Sequence, residues 1–145
     1  MAGVGSGAGR EGHEQFKKDA QSTAQRIRDN GNRGDFIAVI ADQGTEAAAA
    51  HIERVGAAVG LPVTAITVPN GLKGSPLFAD LRRSDHASFW DVSFPAMMIT
   101  DTSNFRNPHY HCGGGPDSPD DLDPAFTAGV LRATVGSAAE LLKGS

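Results

Sequence analysis

Cysteine is nearly missing from this chain of 145 residues, where Cys112 stands alone. A single thiol excludes an intrachain disulfide framework and a Cys-rich structural zinc site, and it leaves the redox compartment unspecified. Tryptophan and tyrosine also occur once each, as Trp90 and Tyr110. Positive charge is scarce: 13 Lys and Arg against 17 Asp and Glu give a formal net charge of -4. That balance offers no basic footprint for nucleic acid. No run of eighteen or more apolar residues occurs, so no membrane-spanning helix is expected. The opening MAGVGSGAGREGHEQ has no basic segment leading into an apolar one, so no secretory signal is expected. The remaining composition is ordinary for a globular protein, and the length suits one domain able to bury a core.

The pattern along the chain is α/β. Residues 1–11 are rich in Gly, Ala and Ser without periodicity and read as a flexible leader, which leaves 12–145 as a single α/β domain. From about Glu14 to Asp29, Phe16, Ala20, Ala24 and Ile27 share one helical face, and Asn30-Gly31-Asn32 stops the helix. Phe36 to Ala41 is an apolar, β-branched run that reads as a strand buried on both faces. Thr45 is placed to cap a helix through about Val59, closed by Gly60 and Pro62. Val63 to Val68 is a second strand, and the order strand, helix, strand predicts one right-handed crossover unit. A short helical turn, His86 to Asp91, precedes a third strand, Pro95 to Thr100. Asp123-Pro124 starts the last helix, whose expected core face is Phe126, Val130, Leu131, Thr134, Ala138, Leu141 and Leu142. Two long irregular stretches, 69–83 and 101–122, are of a length that usually serves function.

Chemistry-bearing residues concentrate between Arg82 and Asp123, which holds His86, His109, His111, Trp90, Tyr110 and Cys112. In extended backbone His109 and His111 would point the same way, and imidazole and thiolate are zinc-binding groups. The bland alternative is a surface loop with solvated histidines, since the motif alone supplies too few ligands. Ser84-Asp85-His86 carries no nucleophile elbow, and Asp85 reads as the cap of the turn that begins at His86. Asp117, Asp120, Asp121 and Asp123 lack the calcium-loop pattern and suit the approach to a helix N-terminus. His13 and His51 read as surface residues.

Several spaced motifs then recur in order. Ser84-Asp85-His86 with Phe89, Pro95 and Ala96, followed by Asn107-Pro108, Tyr110-His111 and Asp117 to Asp123, resemble the C-terminal part of the two-zinc aminopeptidases of the twenty-eighth metallopeptidase family, relatives of the glutaminyl cyclases. Gly34 to Val39 resembles the strand that precedes that part. The resemblance covers about residues 33–143. It implies a partial three-layer α/β/α sandwich with a mostly parallel sheet, zinc-exopeptidase-like, without the family's N-terminal half. It further implies a peptide substrate and a zinc pair. His111 is then a metal ligand, Tyr110 a catalytic hydrogen-bond donor to the carbonyl oxygen, and Asp85 and His86 substrate-binding residues in a loop at the rim.

The departures from the family are as informative. Residues 1–81 contain no His-x-Asp and no Glu-Glu, so the family's other ligands and its general base have no counterpart. Ser93 replaces a usual Gly, and the loop after His111 is longer than the common form. The expectation is a C-terminal segment of a zinc aminopeptidase, inactive alone, with self-association through an exposed sheet edge. The alternative is a non-catalytic α/β binding or assembly module.

Overall fold

The structure, a computed structural model, describes residues 7–116 and 118–143. It is a mixed α/β domain with a three-stranded sheet in the order β2-β1-β3. In chain order the elements are α1 (Gly7–Asp29), β1 (Ile37–Asp42), α2 (Glu46–Ala58), β2 (Val63–Val68), α3 (His86–Asp91), β3 (Met98–Thr100) and α4 (Pro124–Lys143). Short 3-10 turns occupy the long connections 69–85 and 101–123. Of the expected leader, residues 1–6 lie outside the described residues, and the helix begins at Gly7 rather than near Glu14.

β1 and β2 pair in parallel from Ile37↔Val63 to Asp42↔Val68, as a crossover through α2 requires. β3 runs the other way, with Ile40↔Met98 and Ala38↔Thr100. The sheet is therefore mixed, not mostly parallel. β3 is also shorter than the expected Pro95–Thr100, because Phe94 and Pro95 turn outward before the pairing starts and both are exposed.

The alternation along β1 divides the core in two. Val39 and Ala41 pack on Ala49 and Ile52 of α2, and Ile37 packs on Leu61 and on Ala133 of α4. Ile40, on the opposite face, joins Val68 and Trp90, with Phe16 of α1 packed against them. Helices thus cover both faces. α2 approaches β2 at Gly56, where any Cβ would collide with Val63 Cγ2 and sit 3.1 Å from Leu61 O. The chain reverses after α2 through Gly60, whose φ of +75° a side chain would disfavour.

α4 presents a different face from the one expected. Its buried residues are Ala133 and Ser137, with Phe126, Val130 and Thr134 partly covered, whereas Leu131, Ala138, Leu141 and Leu142 are exposed. The small residues let the helix lie close to α2, with Gly136 facing Val55. Asp123 caps α4 as expected, its Oδ1 accepting from the backbone N–H groups of Ala125 and Phe126 at 2.8 and 3.0 Å. Among the described residues no helix is long and apolar enough to cross a membrane.

Candidate functional site

The antiparallel course of β3 decides where the His-rich stretch goes. Thr100 lies beside Ala38, so the chain leaves β3 at the N-terminal end of β1. There Arg106 donates to the carbonyl of Asn32, and Gly34 sits against Thr102. Residues 103–105 and 110–112 form tight 3-10 turns, not extended chain. His111 and Cys112 both take positive φ, 54° and 59°. The expected alternation of side chains along 109–111 therefore does not hold, since it requires extended backbone. His109 Nδ1 lies 3.7 Å from Asp121 Oδ2, while the His111 ring packs against Tyr110 at 4.3 Å and is exposed.

Tyr110 is the centre of what the fold assembles here. The Arg83 guanidinium stacks over its ring at 5.2 Å, which brings the 80–86 stretch onto the 107–111 stretch. The hydroxyl of Ser103, and after it the Arg83 side chain and charge, hold the Tyr110 phenol below its ordinary range. Asp101, by its negative charge, works against them.

Asp85 and His86 part company. Asp85 is exposed, occupies the residue before α3 in helical conformation and makes no side-chain cap hydrogen bond, so the expected cap is not formed. His86 is not in a rim loop. It begins α3 and is only 5% exposed, its ring edge-on to Trp90 at 4.6 Å. Nε2 lies 2.7 Å from Leu81 O, so that nitrogen carries the proton and Nδ1 is left buried without a partner. Burial, opposed by the Leu81 bond, pushes the His86 pKa down and keeps the ring neutral. His51 is not a free surface residue either: Arg54 donates to its Nδ1 at 2.8 Å, and Nε2 faces Glu140 on α4 at 3.3 Å.

One charged pair escaped the reading of the sequence. Asp42, the last residue of β1, is 2% exposed, and Lys73 Nζ lies 2.6 Å from its Oδ2. Gly44 N and Thr45 Oγ1 donate to Oδ1 at 3.0 and 3.1 Å, so Thr45 serves Asp42 instead of capping α2. Burial, the largest influence, raises the Asp42 pKa, but the Lys73 and Thr45 hydrogen bonds, the Lys73 charge and Gly44 together bring it below the ordinary carboxylate value. The only hint in the sequence is an acid ending an apolar strand, followed by a lysine among glycines.

Among the described residues no three His, Cys, Asp or Glu side chains converge in a way that could hold a metal ion. Asp117 of the acidic stretch lies outside the described residues.

The chain is similar to the uncharacterized protein YfbL of Escherichia coli (strain K12), with 35% identity over 108 residues. That match takes in 72% of this chain and 30% of YfbL, so the chain spans less than a third of its relative. No family model matches the chain, and no solved structure matches it.

Proposed function

We propose that this chain is the C-terminal segment of a zinc-dependent aminopeptidase, forming one wall of the active site and inactive alone. The observation that carries the proposal is the stacking of Arg83 on Tyr110, which seats the residue before Ser84-Asp85-His86 against the Tyr110-His111 segment. The much greater length of YfbL supports a longer parent fold. In that setting Tyr110 donates to the substrate carbonyl oxygen as it gains charge, His111 supplies one metal ligand, and exposed Asp85 contacts the peptide. His86 acts from behind, orienting the Asp85 turn through Leu81.

The residues present do not fit a zinc pair. One exposed imidazole at positive φ cannot hold two ions, and among the described residues no three His, Cys, Asp or Glu side chains converge beside it. The remaining ligands then come from polypeptide packed beside β3, which pairs with β1 alone among the described residues. That free edge also favours self-association when the chain is isolated. β2 is protected differently, by Glu53 accepting from the Ala65 N–H at 2.7 Å.

The test exchanges the matched segment of YfbL for this chain and assays zinc content and aminoacyl-nitroanilide hydrolysis. The expected result is zinc-dependent turnover that His111→Ala removes together with bound zinc, while this chain alone releases no nitroaniline. A folded chimaera whose zinc content is unchanged by His111→Ala would refute the proposal. The second reading, a non-catalytic binding module, draws on the completeness of the core, since all three strands are packed on helices. Cooperative thermal unfolding of the isolated, monodisperse chain would favour it.

A further inference from the structure

Between α1, the sheet and the 101–110 loop lies a cavity of about 650 Å³. It arises from side-chain size. Phe16 fills one end of the α1–sheet interface and meets Phe78 edge-on at 5.0 Å. Further along, α1 offers Thr23 beside Ile27 above Ala38 of β1, and the small Thr23 and Ala38 leave space unfilled. The floor is apolar, made by Phe36, Ala38, Ile40, Ile66 and Met98. Its volume falls within the range of small-molecule sites, roughly 300–1,000 Å³.

The mouth is polar, with Arg83 and Arg106 set among Asp80, Asp101, Ser103 and Asn104. Two acids border it, but each is engaged: Asp101 Oδ1 accepts from Ser103 N at 2.7 Å, and Asp80 Oδ1 accepts from Asn104 and Arg83 at 3.4 and 3.5 Å. Arg83 keeps further N–H groups at the rim, held in place by its stacking on Tyr110. The Tyr110 pKa is lowered first by the Ser103 hydrogen bond and then by Arg83, with Asp101 opposing.

We propose that this cavity binds a small amphipathic carboxylate, a medium-chain or arylalkyl acid, with its apolar body on the sheet face and its carboxylate paired with Arg83 beside Tyr110. The guanidinium fork suits a carboxylate in two parallel hydrogen bonds, and a neutral head of the same size forfeits that charge-assisted pairing. This inference shares the Arg83–Tyr110 contact with the zinc-peptidase reading but needs neither a metal nor polypeptide outside this chain.

The purified full chain is titrated with octanoate and 4-phenylbutyrate by calorimetry and by amide chemical-shift mapping, with octanol, 4-phenylbutanamide and inorganic phosphate as comparisons. Saturable one-to-one binding of at least one carboxylate is expected, with shifts centred on 98–110 and on α1. The amide should bind at least about ten-fold more weakly, phosphate should not saturate, and Arg83→Ala should weaken the carboxylate by about ten-fold or more. Thr23→Leu, which fills the space between α1 and the sheet, should abolish binding while leaving the Arg83 side chain in place. Absence of saturable binding by either acid overturns the proposal. So does equal affinity for the amide, or an Arg83→Ala variant that is folded and binds unchanged.

Discussion

Replacing Lys73 by Met tests how the C-terminal end of β1 is held. The wild-type carboxylate of Asp42 is almost sealed from solvent and receives Lys73 Nζ on Oδ2, with Gly44 N and Thr45 Oγ1 on Oδ1. Without Lys73, Oδ2 loses its ionic partner and the two neutral donors on Oδ1 remain. Removing one member of a buried pair costs about 3–5 kcal/mol, because the other is left as an uncompensated charge. For a domain of this size that is a drop of roughly 10–20 °C in Tm. Much of the loss is recoverable: Asp42→Asn with Lys73→Met removes both charges and should restore more than half of it, since a buried pair contributes little net stability over neutral residues.

The pH dependence of this cycle carries its own sign. The folded pKa of Asp42 lies below its ordinary value, so the unfolded chain binds the proton more readily. The contribution of the pair is fully present above the unfolded carboxylate pKa of about 3.9 and is lost as pH falls through the folded value. Urea denaturation of wild type, both single variants and the double variant at neutral and acid pH reads these quantities. The gap between wild type and Lys73→Met should be widest near pH 7 and narrow in acid, where protonation relieves the orphaned carboxylate. A Lys73→Met loss under about 1 kcal/mol, or a double variant no better than the single, would refute the assignment of a buried, coupled pair.

The remaining predictions concern packing, titration and a cap. Gly56→Ala should cost about 1–3 kcal/mol in urea denaturation, since its Cβ meets Val63 and the nearby Leu61 carbonyl. His86 is neutral in the fold and its pKa is lowered, so its contribution is present above an unfolded value of about 6.5 and is lost as pH falls through the folded pKa. The midpoint difference between pH 7.5 and 5.0 should shrink in His86→Gln, and an unchanged difference would show that the ring titrates normally. Asp123→Ala should lower stability by about 1 kcal/mol through the lost α4 cap, with amide-exchange protection reduced in the first turn of that helix.

The strands were the most legible elements in the sequence. β1 read correctly because both faces of Ile37–Ala41 lie against packed layers, and the half-buried β2 because its Val63–Val68 run is β-branched. The start of α4 was legible because Asp123-Pro124 acts locally, through a cap and a fixed φ. The inward face of α4 was not, for apolar residues stand on both sides of it. Leu131, Val135 and Leu142 outweigh Ala133 and Ser137 in hydrophobicity, yet the small pair sets the close approach to α2. Pro95 through Thr100 misled for a similar reason: most of the run is apolar, but Pro95 is exposed and only Met98–Thr100 pairs. In the candidate site, left-handed backbone at His111 and Cys112 defeated any argument from alternation. Arg83 and Lys73 were invisible because their partners lie across loops, and no spacing rule joins them.

The direction of β3 has the widest consequence for function. Parallel α/β units generally bind ligands beyond the carboxyl ends of their strands, and here that end is closed by Asp42, Lys73 and Trp90. The antiparallel β3 instead delivers the chain to the amino end of β1, where Tyr110 lines the same cavity as Phe36. Six residues of strand separate the two ends, roughly 20 Å at strand rise. The Lys73 side chain reaches Asp42 and Trp90, neither of which lines the cavity, so its loss acts locally. Lys73→Met should therefore leave the octanoate affinity of the folded protein within about two-fold of wild type, even as it lowers Tm. A parallel loss of affinity would mean that the cavity depends on the far end of the sheet, and that the separation of a structural end from a binding end is false.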